Sequence, residues 1–299
     1  MSRFSLRALL LWLGPSAGVG TLTAQTRSPA RDGGIVVDTL ASVTSRHLGT
    51  PRTVRVYLPR GYATSSDRYP VLYANDGQDM DAVGLVGSLD SLVKAGLIEP
   101  LIVVAVHSTS ERLQEYGIAG QANAQGLGSR AGAYENFIVG ELMPLVERRY
   151  RARRGPAHTA IMGWSLGGLS AFDLAWRRSD KFGSIGAFSG SFWWRTDDGS
   201  AEARQSSRIT HRRIRETASA PRLRIWLEAG RQDEKDDRDM NGVIDAIQDT
   251  RELVDELVRK GMREGEGVRY HEMHGGHNPE TWGKALPLFL TWAFGTKPR

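Results

Sequence analysis

The chain has 299 residues, 40% of them hydrophobic and 24% charged, the balance of an ordinary globular protein with enough apolar material for one large core. Its formal charge is +5, but basic and acidic residues are interleaved along the chain, which argues against a nucleic-acid-binding stripe. The lack of any cysteine excludes a disulfide framework, thiol chemistry and a lipid-modified cysteine.

In chain order, the first stretch, "MSRFSLRALLLWLGPSAGVGTLTAQ", carries Arg3 and Arg7, then an apolar run from Ala8 to Leu13, then small residues up to Ala24. That is the order of a secretory signal peptide over residues 1–24, and it predicts an exported protein, secreted or periplasmic. The apolar part is too short to span a bilayer, so no membrane anchor is expected. A polar linker at 25–33 follows. Next, "IVVDTLASVTSRHLGTPRTVRVYLP" gives two β-rich runs around "RHLGTPR", an antiparallel hairpin. Further strands are predicted at "YPVLYAN", "LIVVAVH", "HTAIMG", "FGSIGAFSG", "LRIWLEAG" and "GVRYHEM". Helical patterns lie between them at Val83–Leu97, Tyr134–Tyr150, Leu166–Arg178, Val243–Lys260 and Glu280–Phe294. Apolar strands alternating with amphipathic helices predict one α/β domain over 34–299, a mostly parallel central sheet with helices on both faces.

Chemistry enters at "HTAIMGWSLGGLSAFDLAW". Ser165 follows an apolar strand directly and precedes a helix, with Gly163, Gly167 and Gly168 around it. A serine at such a junction sits in a sharp turn that lifts its hydroxyl above the sheet, and the residues two before and two after it pass too close for a larger side chain. The helix that starts just beyond it supplies unpaired N–H groups and a positive dipole end where an oxyanion would form. This is the G-x-S-x-G nucleophile elbow; the alternative is a glycine-rich strand-to-helix turn with a capping serine. A serine hydroxyl needs a base, so an acid and a histidine should follow in that order. Asp233, in "RQDE", lies just past the strand "LRIWLEAG", with Glu228 and Glu234 as the competing acids. His277 lies in the loop "HGGHNPETW" and is favoured among seven histidines, with His274 the nearest competitor, because Gly275 and Gly276 give its loop freedom.

These stretches, together with "YPVLYANDGQD", "RLQEY", "YENFIVGELMPLVERRYR", "SGSFWW" and "GGHNPETWGKALPLFLTWAF", resemble the putative-esterase family of α/β-hydrolases. That family includes enterochelin esterases, feruloyl and acetylxylan esterases, S-formylglutathione hydrolase and mycolyltransferases, and its enterochelin-esterase-like branch shares "DGQ", "SGSFWW" and "LEAG". The resemblance implies an α/β-hydrolase fold with Ser165 as nucleophile, His277 as base and Asp233 as orienting acid. It also implies an oxyanion hole from the backbone N–H groups of Leu166 and Gln78, in a turn shaped by Asp76 and Gly77. Arg112, Glu115, Tyr116, Trp193 and Trp194 are candidate pocket walls, or else a helix-start ion pair and core aromatics. The glycine-rich "GIAGQANAQGLGSRAG" is a candidate lid.

A second pattern, "DDRDMNGVIDAIQ", has the cadence of a calcium loop: Asp237, Asp239, Asn241, Gly242, the Val243 carbonyl and Asp245 fall at positions one, three, five, six, seven and nine. Position twelve is Gln248 rather than a bidentate Glu, and an acidic turn favouring the N-terminus of the following helix has the same composition. The chemistry as a whole requires no cofactor. The expected function is a secreted serine esterase acting on a small-molecule ester, of siderophore, feruloyl or acetyl-sugar type; an acyltransferase with the same residues or a non-catalytic binding protein is the alternative. No feature of the sequence sets an oligomeric state.

Overall fold

All eight predicted strands form, and among the described residues they make one sheet: β1 Val36–Val43, β2 Arg52–Leu58, β3 Val71–Ala74, β4 Ile102–Val106, β5 Thr159–Trp164, β6 Ser184–Phe188, β7 Arg224–Gln232 and β8 Val268–Gly276. The computed structural model describes residues 34–296, so the expected signal segment (1–24) and polar linker (25–33) lie outside the described residues. The strand order is β1-β2-β4-β3-β5-β6-β7-β8. β1 and β2 are the expected antiparallel hairpin, β2 meets β4 antiparallel, and every pair from β4 to β8 is parallel.

The helices are α1 Leu85–Lys94, α2 Arg112–Glu115, α3 Ala131–Asn136, α4 Met143–Arg149, α5 Leu166–Arg177, α6 Ala201–Ser206, α7 Ile209–Glu216, α8 Asp245–Arg259 and α9 Pro279–Phe294. The single helix predicted over Tyr134–Tyr150 is instead α3 and α4 joined by a π-helical stretch, Phe137–Leu142, where the Met143 N–H reaches back to Ile138 O. Pro144 has no N–H to give to the carbonyl four residues earlier, so the wider turn is accommodated there. Helices α2, α6 and α7 carry no long apolar stripe, which is why periodicity did not reveal them; α7 buries Ile209 and Ile214 from an otherwise charged sequence.

Alternation along the strands divides the core into two layers. Tyr73, Val104, Ile161, Ile185 and Leu227 face one layer, packed with α5 (Leu169, Phe172) and α8 (Leu253, Leu257). Leu72, Ala74, Val103, Met162, Phe188 and Trp226 face the other, packed with α1 (Leu85, Leu89) and α9 (Trp282, Leu286, Phe289). A parallel sheet buried on both faces in this way leaves its strand ends as the place for chemistry. β3 sits between β4 and β5, so the chain leaves it toward one side and β5 toward the other. The crevice beyond the carboxyl ends of two such strands is the usual ligand position in open α/β sheets.

Candidate active site

Ser165 occupies that position, one residue past the end of β5 and directly before α5. Its backbone is at φ 56°, ψ −130°, a conformation that costs a non-glycine residue on the order of 1–3 kcal/mol and persists only when its surroundings enforce it. Enforcement comes from both sides. The Ser165 N–H donates to Phe188 O at 2.8 Å, while Ser165 O accepts from Gly168 N at 3.0 Å and from Ser191 N at 3.1 Å. A side chain on Gly163 would collide with the Gly167 carbonyl, and one on Gly167 would collide with the Asp76 carboxylate. Of the four non-glycine residues with positive φ among the described residues, three cluster at this edge: Asp76 beyond β3, Ser165 beyond β5 and Ser189 beyond β6.

The turn after β3 is stapled to this elbow. Asn75 N donates to Met162 O at 2.9 Å, Asn75 Nδ2 to Gly167 O at 2.8 Å, and the Tyr134 hydroxyl to Asn75 Oδ1 at 2.7 Å. Asp76 is buried in a left-handed conformation, its carboxylate held by Arg112 through two hydrogen bonds of 2.8 Å, its N–H donating to the Tyr116 hydroxyl at 3.2 Å. The Gln78 side chain brackets Ser108, with Nε2 to Oγ at 3.0 Å and Oε1 accepting from Ser108 N at 3.1 Å. Among the described residues no backbone carbonyl accepts from the Gln78 or Leu166 N–H, so both remain available as donors.

The acid and the histidine come from the next strand ends. β7 and β8 pair in parallel with a register shift between Gly230 and Gln232, and this bulge turns the chain so that Asp233 folds back, its Oδ2 accepting from Gly230 N at 3.0 Å. His277 Nδ1 stands 3.9 Å from Asp233 Oδ2, wider than a hydrogen bond, with the Asp233 carboxylate buried and the His277 ring 36% exposed. Resting active-site contacts of this kind often tighten only around bound substrate. The two glycines before His277 act by close approach rather than by loop freedom: β8 continues through Gly276, and Gly275, at φ 147°, presses against Thr281. Asn278 then caps α9, its side chain accepting from Thr281 N at 3.0 Å, with Pro279 at the first helical position.

Two tryptophans, not identified from the sequence, connect Ser165 to His277. Trp164, the residue before Ser165, stacks on Trp282 with ring centroids 5.6 Å apart, and the His277 ring stands edge-on to Trp282 at 5.2 Å. Trp282 Nε1 donates to Ser189 Oγ and Trp164 Nε1 to Asp79 Oδ2, each at 2.9 Å. Burial and the neighbouring Asp76 raise the Asp79 carboxyl to about 6. Their sequence signal is position: Trp164 fills the x of G-x-S, and Trp282 sits in the first turn of the helix that follows His277.

Among the competitors, His274 lies within β8 with Nε2 3.4 Å from Arg231 Nη1, and His271 packs on Trp226. Glu228 lies fully buried in β7 and Glu234 is largely buried; neither has an ion pair with a histidine among the described residues. The predicted pocket walls divide. Arg112 and Trp193 keep partial exposure, but Glu115 is an interior partner of Arg52, Tyr116 lies beneath the turn after β3, and Trp194 is fully enclosed against Gly117 and Gly128. These three are therefore interior supports, because the aromatic and ion-paired positions of the sequence face inward once the loops pack. The segment expected as a lid is tied down, with Asn123 Oδ1 accepting from Gln125 N and Leu127 N, and Ala119 N donating to Asp173. In the acidic loop, Asp237 accepts from Asn241 N and Gly242 N, Asn241 Oδ1 from Val243 N, Asp239 from Gln248 Nε2, and Asp245 from Arg238 N. Among the described residues no group of three or more His, Cys, Asp or Glu side chains converges as a metal site.

Comparison with known proteins agrees with this architecture. Residues 45–292 match the family model described as "Putative esterase". The chain is 26% identical over 255 residues to the uncharacterized protein YbbA of Bacillus subtilis, covering 84% of this chain and 96% of that one. It is 28% identical over 158 residues to an endo-1,4-beta-xylanase/feruloyl esterase of Xylanibacter ruminicola, 49% of this chain but only 20% of that protein. Among solved structures, the enterobactin esterase of Shigella flexneri with enterobactin superposes with a TM-score of 0.68 at 22% identity, over 88% of this chain and 59% of the other. A ferulic acid esterase superposes with a TM-score of 0.65 at 22% identity, over 87% of this chain and 97% of the other. With its sheet order, elbow and matched length, the chain belongs to this esterase family and is an ester hydrolase of the α/β-hydrolase type.

Proposed function

We propose that the protein is a serine carboxylic-ester hydrolase that works through an acyl-enzyme, with Ser165 as nucleophile, His277 as general base and Asp233 as the group that orients it. The observation that carries this reading is the strained Ser165 at the carboxyl edge of the sheet, with unengaged N–H groups beside it and an Asp233–His277 pair at the ends of β7 and β8. In the proposed cycle His277 takes the Ser165 proton as Oγ attacks the ester carbonyl. The oxyanion is held by the N–H groups of Leu166 and Gln78, and His277 returns the proton to the departing alcohol. Water, deprotonated by His277, then releases the acid and restores Ser165. Loss of one such oxyanion donor typically costs about 10²–10³ in turnover. Small or medium esters of siderophore, feruloyl or acetyl-sugar type are the substrate classes, with partly exposed Trp193 as an apolar wall.

Export is part of the proposal. It is supported by the basic, apolar and small-residue order of residues 1–24. The test is hydrolysis of p-nitrophenyl acetate and butyrate by the mature protein beside Ser165→Ala, with fluorophosphonate labelling of both. Activity and labelling that vanish together in the variant support the reading, and equal activity in the variant overturns it. Adding a sugar acceptor and analysing products separates hydrolysis from acyl transfer, and a chelator arm tests whether calcium on the Asp237–Asp245 loop contributes.

A further inference from the structure

Glu228 lies in β7, fully buried, flanked in register by Phe188 on β6 and His271 on β8. Its Oε2 accepts from Ser189 N at 3.2 Å, an N–H shared with the Glu228 carbonyl at 2.8 Å, and the Ser189 side chain also hydrogen-bonds the carboxyl. Its Oε1 has no partner among the described residues, and neither has Oδ1 of Asp233, five residues further on around the β7 bulge. We propose that Glu228 is a positioning residue of this site, kept as the neutral acid behind Asp233 and Ser189 so that His277 faces a single negative charge. The effect on turnover rests on the acyl-transfer reading above; the charge state does not.

A buried carboxyl that feels the charge of a neighbouring carboxylate does not ionise readily. Asp233 accepts from Gly230 N and faces His277, whereas the Glu228 carboxyl lies deeper and meets only Ser189, through its N–H and its side chain. Burial, reinforced by the charge of Asp233, pushes the Glu228 carboxyl up to about 8. As an acid its unpartnered oxygen becomes a donor. Glu228 also reaches His277 from its other side: it holds Ser189, whose hydroxyl receives the Trp282 indole that supports the histidine ring. The other titratable groups around it are His271 and Tyr270 on β8, while β6 and α9 present Phe188, Ser189 and Trp282, which carry no charge. Ionisation of Glu228 would place a second negative charge near the Asp233 carboxylate and repel it from its seat beside His277.

Wild type, Glu228→Gln and Glu228→Ala are compared by kcat/KM for p-nitrophenyl acetate from pH 6 to 10 and by thermal unfolding over pH 4 to 10, with Ser165→Ala as control. The wild-type profile is expected to fall above pH 8; Glu228→Gln keeps the wild-type value within about threefold at pH 7 and loses that alkaline fall, and Glu228→Ala is about tenfold or more below wild type throughout. The Tm advantage of Glu228→Gln over wild type widens from about pH 5 to pH 8 and is constant above, because folded wild type holds a proton that the unfolded chain has released. A loss of about 100-fold in Glu228→Gln at pH 7 with a Tm difference independent of pH would overturn the proposal, as would an alkaline fall that persists in Glu228→Gln. If Ser165→Ala is as active as wild type, the acyl-transfer reading fails instead, and the Tm difference still reports whether Glu228 is neutral.

Discussion

At the residue scale, Ser165 holds a conformation suited to glycine because hydrogen bonds to Phe188, Gly168 and Ser191 fix its backbone from both sides. Ser165→Gly is therefore expected to abolish hydrolysis while raising stability by about 1 kcal/mol, as backbone strain is released; activity assays and thermal unfolding of one sample check both halves. Trp282 has two functions separable by chemistry, a ring packed between Trp164 and His277 and an N–H given to Ser189. Trp282→Phe keeps an aromatic ring but leaves the buried Ser189 hydroxyl without its donor. It should cost on the order of 1–2 kcal/mol of stability and lower kcat several-fold with little change in KM, measured by denaturant unfolding and steady-state kinetics.

At the element scale, the histidine loop owes its position to what bounds it. β8 runs through Gly276, pairs with Gln232 across the bulge, and is followed within two residues by a capped helix. Asn278→Ala removes the cap and is expected to cost about 1 kcal/mol, with kcat falling because the first turn of α9 carries Trp282 and bounds His277. Thermal unfolding gives the stability cost, and single-turnover acylation gives the effect on the histidine. The turn after β3 is fixed differently, through side chains of Asn75, Asp76 and Gln78, so its donors are positioned by a polar network rather than by regular structure.

For the whole molecule, the pH dependence of stability is set by buried acids as much as by the net charge of +5. Burial, with Asp245 and other nearby carboxylates, raises the Glu234 carboxyl from 4.5 to about 8. Between these values the folded protein retains a proton that the unfolded chain releases, so this group makes stability fall as pH rises from about 4.5 to 8 and has no further effect above. Glu234→Gln is neutral at every pH. Its Tm should exceed that of wild type by an amount that grows across that window, at about 1.4 kcal/mol per pKa unit as an upper bound, and thermal unfolding at pH 4, 6 and 8 checks the slope.

What was legible in the sequence were the features that local physics dictates. Period-2 and continuous apolar runs located all eight strands, and the glycines around Ser165 marked a strand-to-helix turn where only small residues fit. Asp233 could be singled out because it follows a strand end, whereas His277 was singled out through its two glycines, which act by close approach rather than by loop freedom. Side-chain facing was not legible: Glu115, Tyr116 and Trp194 have the composition of a pocket wall, but their orientation depends on loops packing from distant parts of the chain. The same holds for Trp164 and Trp282, which are 118 positions apart and meet only because β5 and α9 share one face of the sheet. The sequence by itself therefore determined the strands, their alternation with helices and the tight turn at Ser165, since each rests on neighbours a few residues away. Tertiary structure alone decided which polar and aromatic side chains surround Ser165, because burial and partner choice are set by long-range packing.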